Sequence, residues 1–139
     1  MGVANVIVTQ SDGSELEVLK EMTGSALAQV VIDATGSNKS MGNALNYCGF
    51  TGRLVYVGIT QAEVTFPHAP VMHRRELTLL ASRNALPADF TRIIKLIEEG
   101  RIDTGPWITH HAAFEKMIEE FPKWIQPESK VIKAVMHVT

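Results

Sequence analysis

The chain has 139 residues, 45% of them apolar, and a net charge of −2 from thirteen Lys and Arg against fifteen Asp and Glu. That suffices for one core of ordinary composition, and, apart from Arg74-Arg75, the basic residues form no face or stripe of the kind that tracks nucleic acid. No apolar run approaches the ~20 residues needed to span a bilayer, the first residues lack the charged start and apolar core of a signal peptide, and the single Cys48 excludes an internal disulfide and fits a reducing cytoplasm.

In chain order, Val6-Ile7-Val8 is a β-branched run before the turn-forming Gln10-Ser11-Asp12-Gly13, and reads as a strand. Ser14 is placed to cap a helix with Glu15 and Glu17 in its first turn and Leu16, Leu19 and Met22 at helical spacing. Thr23-Gly24-Ser25 ends it. Gln29 to Ala34 is apolar on consecutive residues, as expected for a strand covered on both faces. Ser37 then caps a helix whose inner stripe is Met41, Ala44, Leu45 and Cys48, with Gly49 in the position after its end. Arg53 to Gly58 is a third strand of the buried kind. Thr60 to Pro70 is a loop with room for a short edge strand at Val64-Thr65-Phe66, followed by a helical turn over Met72 to Arg75. Leu77 to Ser82 is a fourth strand.

Pro87 suits the first turn of a helix with the stripe Phe90, Ile93, Ile94 and Ile97, closed by Gly100. Trp107 to His110 is extended. Phe114, Met117, Ile118, Phe121, Trp124 and Ile125 mark an amphipathic helix that Pro122 should kink or shorten. Val131 to Val138 alternates as a half-exposed closing strand. Buried strands alternating with helices give an α/β class with a parallel sheet, and no linker-like stretch divides the chain, so a single domain over residues 1–139 is expected.

Metal-ligand spacing is missing from the sequence. His110 and His111 are adjacent, so on a strand they face opposite ways. His68 and His73 flank a proline-rich turn, and Cys48 on a helix's inner stripe is better read as a packed thiol than as a ligand or nucleophile. There is no Gly-x-Ser-x-Gly elbow and no Gly-x-Gly-x-x-Gly after a strand. What remains is a pair of strand ends, Asp33-Ala34-Thr35-Gly36-Ser37 and Gly58-Ile59-Thr60. Ligands of open α/β sheets bind outside that edge, although both stretches also read as ordinary turns.

From Val31-Ile32-Asp33-Ala34-Thr35-Gly36-Ser37 onward the chain resembles the zinc-type medium-chain alcohol and polyol dehydrogenases. The likeness continues in order through Gly52 to Gly58, Arg74 to Asn84, Leu96 to Asp103, Pro106 to His110 with Phe114-Glu115-Lys116, and Lys130 to Val135. Its wording is most similar to the sorbitol, galactitol and sugar-acid dehydrogenase branches. The resemblance implies a partial Rossmann-like parallel sheet, strands three to six, with helices on both faces and a C-terminal helix and strand.

It also implies roles. Ala34, Thr35 and Gly36 would border the adenosine end of NAD(P). Val57, Gly58 and Ile59 would offer backbone near the nicotinamide, and Leu80 and Ser82 backbone near the carboxamide. Lys133 stands where the family often has an arginine for the pyrophosphate; a lysine gives a point charge without a fork, and a solvated strand residue is the plain alternative.

The chain departs from the family by lacking its zinc-ligand domain, the first two Rossmann strands, the glycine-rich turn and the ribose-binding acid. No catalytic or metal residue is therefore assigned. The expectation is a truncated NAD(P)-dependent dehydrogenase-like protein, cytoplasmic and inactive alone, with zinc belonging to the full enzyme and a missing N-terminal half conceivable on another chain. Losing two strands spaced ~4.8 Å apart leaves a gap of about 14 Å beside strand four, so either strand three closes it or another copy does; with the family's habit of pairing last strands, here Leu77 to Asn84, this predicts a homodimer or higher oligomer. Two other readings stand beside it: a non-enzymatic, self-associating α/β module with weak or no nucleotide binding, and an unrelated nucleotide-binding α/β domain.

Overall fold

The structure, a computed structural model, describes residues 3–10 and 12–138. The chain divides into two compact units, Gly2–Asn84 and Ala85–Thr139.

The first unit begins with an extended, exposed stretch. Val6-Ile7-Val8, expected as a strand, forms none, and Val6 and Val8 are 79% and 73% exposed. β-Branched residues favour a strand only when there is a neighbour to pair and pack with, and no described strand pairs with this stretch. Helix α1 runs Ser14–Met22. Ser14 is its first residue rather than its cap: Gly13 takes the cap position with φ 85°, and the Asp12 carboxylate accepts the Ser14 N–H at 2.9 Å. The Thr23 hydroxyl closes the other end, donating to the Leu19 carbonyl at 2.7 Å and accepting the Leu27 N–H at 3.0 Å.

Strands β1 (Ala28–Asp33), β2 (Cys48–Tyr56) and β3 (Thr78–Ala81) form a parallel sheet in that order. Between β1 and β2 lie α2 (Asn38–Asn43), capped by Ser37, and a 3-10 turn over Ala44–Tyr47. The expected inner stripe is the core: Met41, Ala44, Leu45 and Cys48 are 0–6% exposed, and Leu54 joins them. The helix is shorter than its stripe suggested, because Cys48 already begins β2. Gly49 is accordingly a strand residue and not the one after a helix; a Cβ there would collide with the Ala26 carbonyl oxygen. The register jumps from Ala28↔Cys48 to Val30↔Arg53, so Gly49 to Gly52 bulge out of the ladder. No edge strand forms at Val64-Thr65-Phe66, and a π-helical segment over His68–His73 replaces the turn expected from Met72.

Val31, Tyr56, Leu77 and Leu79 pack on the core together with Phe66, Val71 and Met72 from the second crossover. Both crossovers thus cover one face. Right-handed connections that step in one direction across a sheet place their segments on the same side. Val30 and Ile32, on alternate positions of β1, are 52% and 64% exposed, so the double cover expected of this strand is not found.

The second unit holds helix α3 (Pro87–Glu98), strand β4 (Ile108–Ala113), helix α4 (Met117–Trp124) and strand β5 (Lys133–His137). Pro87 opens α3 as expected, and the Asp89 carboxylate accepts the Leu86 N–H at 3.0 Å. Pro122 sits inside α4, which ends two residues later, in keeping with a proline that offers no N–H to the preceding turn. β4 and β5 pair in parallel.

Candidate functional site

Asp33 ends β1 and is the one buried charged residue of the described chain, at 5% exposure. One carboxylate oxygen accepts the Thr35 N–H at 3.0 Å and the Thr35 hydroxyl at 2.8 Å; the other accepts the Ser40 hydroxyl at 2.7 Å. Its backbone carbonyl accepts the N–H groups of Val57 at 2.8 Å and Gly58 at 3.0 Å. One residue therefore ties the turn after β1, the helix α2 and the end of β2 together. Burial pushes its carboxyl pKa up, but the Ser40 and Thr35 hydrogen bonds outweigh that and hold it below the ordinary value.

The turn itself depends on glycine. Gly36 has φ 68°, and a Cβ on it would come 3.0 Å from the Ile59 carbonyl oxygen. A Cβ on Gly58 would come 2.5 Å from the Gly36 nitrogen. The two strand-end backbones touch there, and no side chain fits between them. Below them the Tyr56 hydroxyl donates to the Met41 carbonyl at 2.6 Å, joining β2 to α2.

Eight of the nine residues expected at a cofactor lie along this edge. Ala34, Thr35 and Gly36 follow β1; Val57, Gly58 and Ile59 follow β2; Leu80 is in β3 and Ser82 just beyond it, its N–H donating to the Tyr56 carbonyl at 2.8 Å. Val57, Ile59 and Leu80 present apolar surface at 45%, 80% and 44% exposure. Lys133 belongs to the second unit, where it heads β5 opposite Ile108, and its carbonyl accepts the Thr109 hydroxyl at 3.3 Å. Sequence reasoning missed Asp33 and Ser40 as organisers of the edge. The available signal was an acid closing an otherwise apolar strand, with hydroxyl residues two and seven positions on.

A cavity of about 590 Å³ lies along β1, lined by Ile7, Leu19, Val30, Lys39 and Tyr47 among others, and by none of the nine expected residues. Tyr47 donates to Glu15 there at 2.8 Å; burial and that carboxylate push its pKa up to about 12. Cys48 is fully buried, and burial raises its thiol pKa, so it is packed and not poised as a nucleophile. Among the described residues no group of three or more His, Cys, Asp or Glu could hold a metal ion, and no helix is long and apolar enough to cross a membrane.

The family model described as "Zinc-binding dehydrogenase" matches residues 1–99. The chain is 36% identical over 118 residues to L-galactonate-5-dehydrogenase of Escherichia coli, covering 85% of this chain and 34% of that protein. It is 29% identical over 138 residues to (R,R)-butanediol dehydrogenase of Neisseria gonorrhoeae, covering 98% and 38%. The crystal structure of 2R,3R-butanediol dehydrogenase from Bacillus subtilis superposes with a TM-score of 0.82 at 19% identity, over 96% of this chain and 38% of that one, a likeness of fold. The chain spans about a third of the length of the curated relatives it matches.

Proposed function

Because the chain belongs to the zinc-binding dehydrogenase family, we propose that its 139 residues supply the C-terminal part of the NAD(P)-binding domain of an alcohol or polyol dehydrogenase. The two units together would make that part, the second being the family's C-terminal extension. The observation that carries this reading is the carboxyl edge of the parallel sheet, where Asp33 and the Gly36–Gly58 contact hold two turns together. Ligands of such sheets lie outside that edge.

NAD(P) fits part of what is present. Backbone at Ala34, Thr35 and Gly36 would meet the adenosine end, backbone at Val57, Gly58 and Ile59 the nicotinamide, and backbone at Leu80 and Ser82 the carboxamide. Lys133 is carried as a cofactor contact on the resemblance alone. When bound, the nicotinamide would supply hydride acceptance from an alcohol carbon. The chain's own part is to seat and orient the dinucleotide. The catalytic zinc of the family does not fit: among the described residues no group of three or more His, Cys, Asp or Glu could hold it, so no step is assigned to the metal. These residues alone are expected to be catalytically silent, since alcohol activation needs groups they do not contain.

The test is a thermal shift of the pure chain with millimolar NADH, alongside an alcohol-oxidation assay. A rise in melting temperature without turnover is the expected pair of results, because a ligand that binds only the folded state stabilises it. Turnover by the pure chain would overturn the silence. Absence of any shift would favour the second reading, a self-associating module in which the fold is kept and nucleotide binding lost. The exposed face of β1 at Val30 and Ile32 is what favours that alternative.

A further inference from the structure

We propose that His111 and His137 form a binding site for a divalent transition-metal cation of the copper(II), nickel(II) or zinc(II) class. The site lies on the small β4–β5 sheet and takes no part in the dehydrogenase reading. Parallel pairing sets His111 opposite Val135 and Ala113 opposite His137. Alternation along each strand then puts His111 and His137 on one face, two steps apart. His110 falls on the other face, where its ring meets Trp124 with centroids 6.3 Å apart. Adjacent histidines therefore cannot share an ion, but the cross-strand pair can.

The pair is already in contact. His111 Nδ1 and His137 Nε2 are 2.9 Å apart, and their rings are within 16° of parallel with centroids at 5.1 Å. A nitrogen–nitrogen contact of that length requires one ring to donate its N–H and the other to offer its lone pair. If the donating ring moves its proton to its other nitrogen, both facing nitrogens present lone pairs to the same point. A metal ion there, held by two bonds of about 2.0–2.1 Å, would need the nitrogens about 3–4 Å apart. Both side chains are exposed, so they open by rotation without moving the strands. Two imidazoles leave the remaining coordination positions to water. Neutral imidazole suits copper, nickel and zinc, and copper(II) should bind most tightly of the three.

The ion would also clip β4 to β5. A two-stranded sheet is marginal alone, so binding should raise the melting temperature of the chain. His68 and His73 form a looser pair, with rings 6.1 Å apart and tilted by 49°, and serve as a control.

The experiment titrates the full chain with copper(II) alone by calorimetry and records the electron paramagnetic resonance spectrum of the complex. The expected result is one saturable ion per chain with hyperfine structure from two nitrogens. Since even outer-shell partners of a metal contribute about 10–100-fold to affinity, His111→Ala and His137→Ala should each weaken binding at least tenfold. His110→Ala and His68→Ala should leave it within a factor of about two. The wild-type spectrum decides the matter should either alanine variant fail to fold. A spectrum with one nitrogen or none, or affinity lost in His68→Ala and kept in His111→Ala, would overturn the proposal.

Discussion

At the scale of single residues, Asp33 shows how one buried charge can be tolerated. Its two oxygens take three hydrogen bonds, one from a backbone N–H and two from hydroxyls, all within the next seven residues. Burying an unpaired carboxylate would instead shift its pKa upward until it neutralised. Asp33→Ala leaves the Thr35 and Ser40 donors without their acceptor and should cost about 2–3 kcal/mol, read as a lower urea midpoint with unchanged slope. The pH dependence follows from the direction of the shift. The folded-state pKa is depressed, so the stabilisation is fully present above the unfolded value of about 3.9 and is lost as pH falls through the folded one. Wild type should therefore lose stability more steeply than Asp33→Asn on acidification below about pH 4. Parallel curves for the two proteins would show that the carboxylate is not what anchors the turn. The sequence already marked this stretch as a strand end with a glycine turn. It did not show that the acid faces inward, because that depends on which face the crossover covers.

At the scale of elements, the joint between the 3-10 turn and β2 is held from the next crossover. The Arg75 guanidinium donates to the carbonyls of Asn46 at 3.1 Å and Cys48 at 2.8 Å, and the Arg75 carbonyl accepts the Thr51 N–H at 2.7 Å. The only basic pair in the sequence thus has a structural use for one of its members. Arg75→Ala leaves two carbonyls unpaired beside the core and should cost about 1–2 kcal/mol. Both bonds leave one guanidinium nitrogen, so Arg75→Lys should recover only the part that a flexible ammonium stem can reach without the rigid guanidinium plane to aim it. Urea unfolding of the three proteins checks it, and full recovery by lysine would reduce the contact to simple charge. The inner stripe of Met41, Ala44, Leu45 and Cys48 was legible, because a period near 3.6 specifies a face even when the helix is short. The helix length was not, since Gly49 reads equally as a stop and as the close approach it makes to Ala26. Val6-Ile7-Val8 misled for the opposite reason: its propensity is local, and the ladder it needs is not.

At the scale of the molecule, apolar strand runs separated by helical ones announced the parallel sheet, and the order β1-β2-β3 agrees with it. Composition could not announce that one face would stay open, because that follows from handedness: both crossovers step the same way and land on the same side. Among the described residues, the sheet of the first unit also has two open edges, β1 and β3, each paired on one side only. An edge with free N–H and C=O groups is a template for another strand unless charge or a covering element blocks it. The Ser82 N–H points to β2, so in a parallel ladder Ala81, one residue earlier, turns its N–H outward. Two copies meeting along β3 would pair these groups and cover Leu80, which is 44% exposed. A homodimer is accordingly expected in light scattering at tens of micromolar. Ala81→Lys, which places a charge on that edge while leaving the ladder to β2 intact, should shift the mass toward the monomer. A wild-type chain that is monomeric throughout that range would sink the homodimer. A dimer indifferent to Ala81→Lys would move the contact away from β3, leaving the β1 edge and the exposed face at Val30 and Ile32 as the surfaces to substitute next.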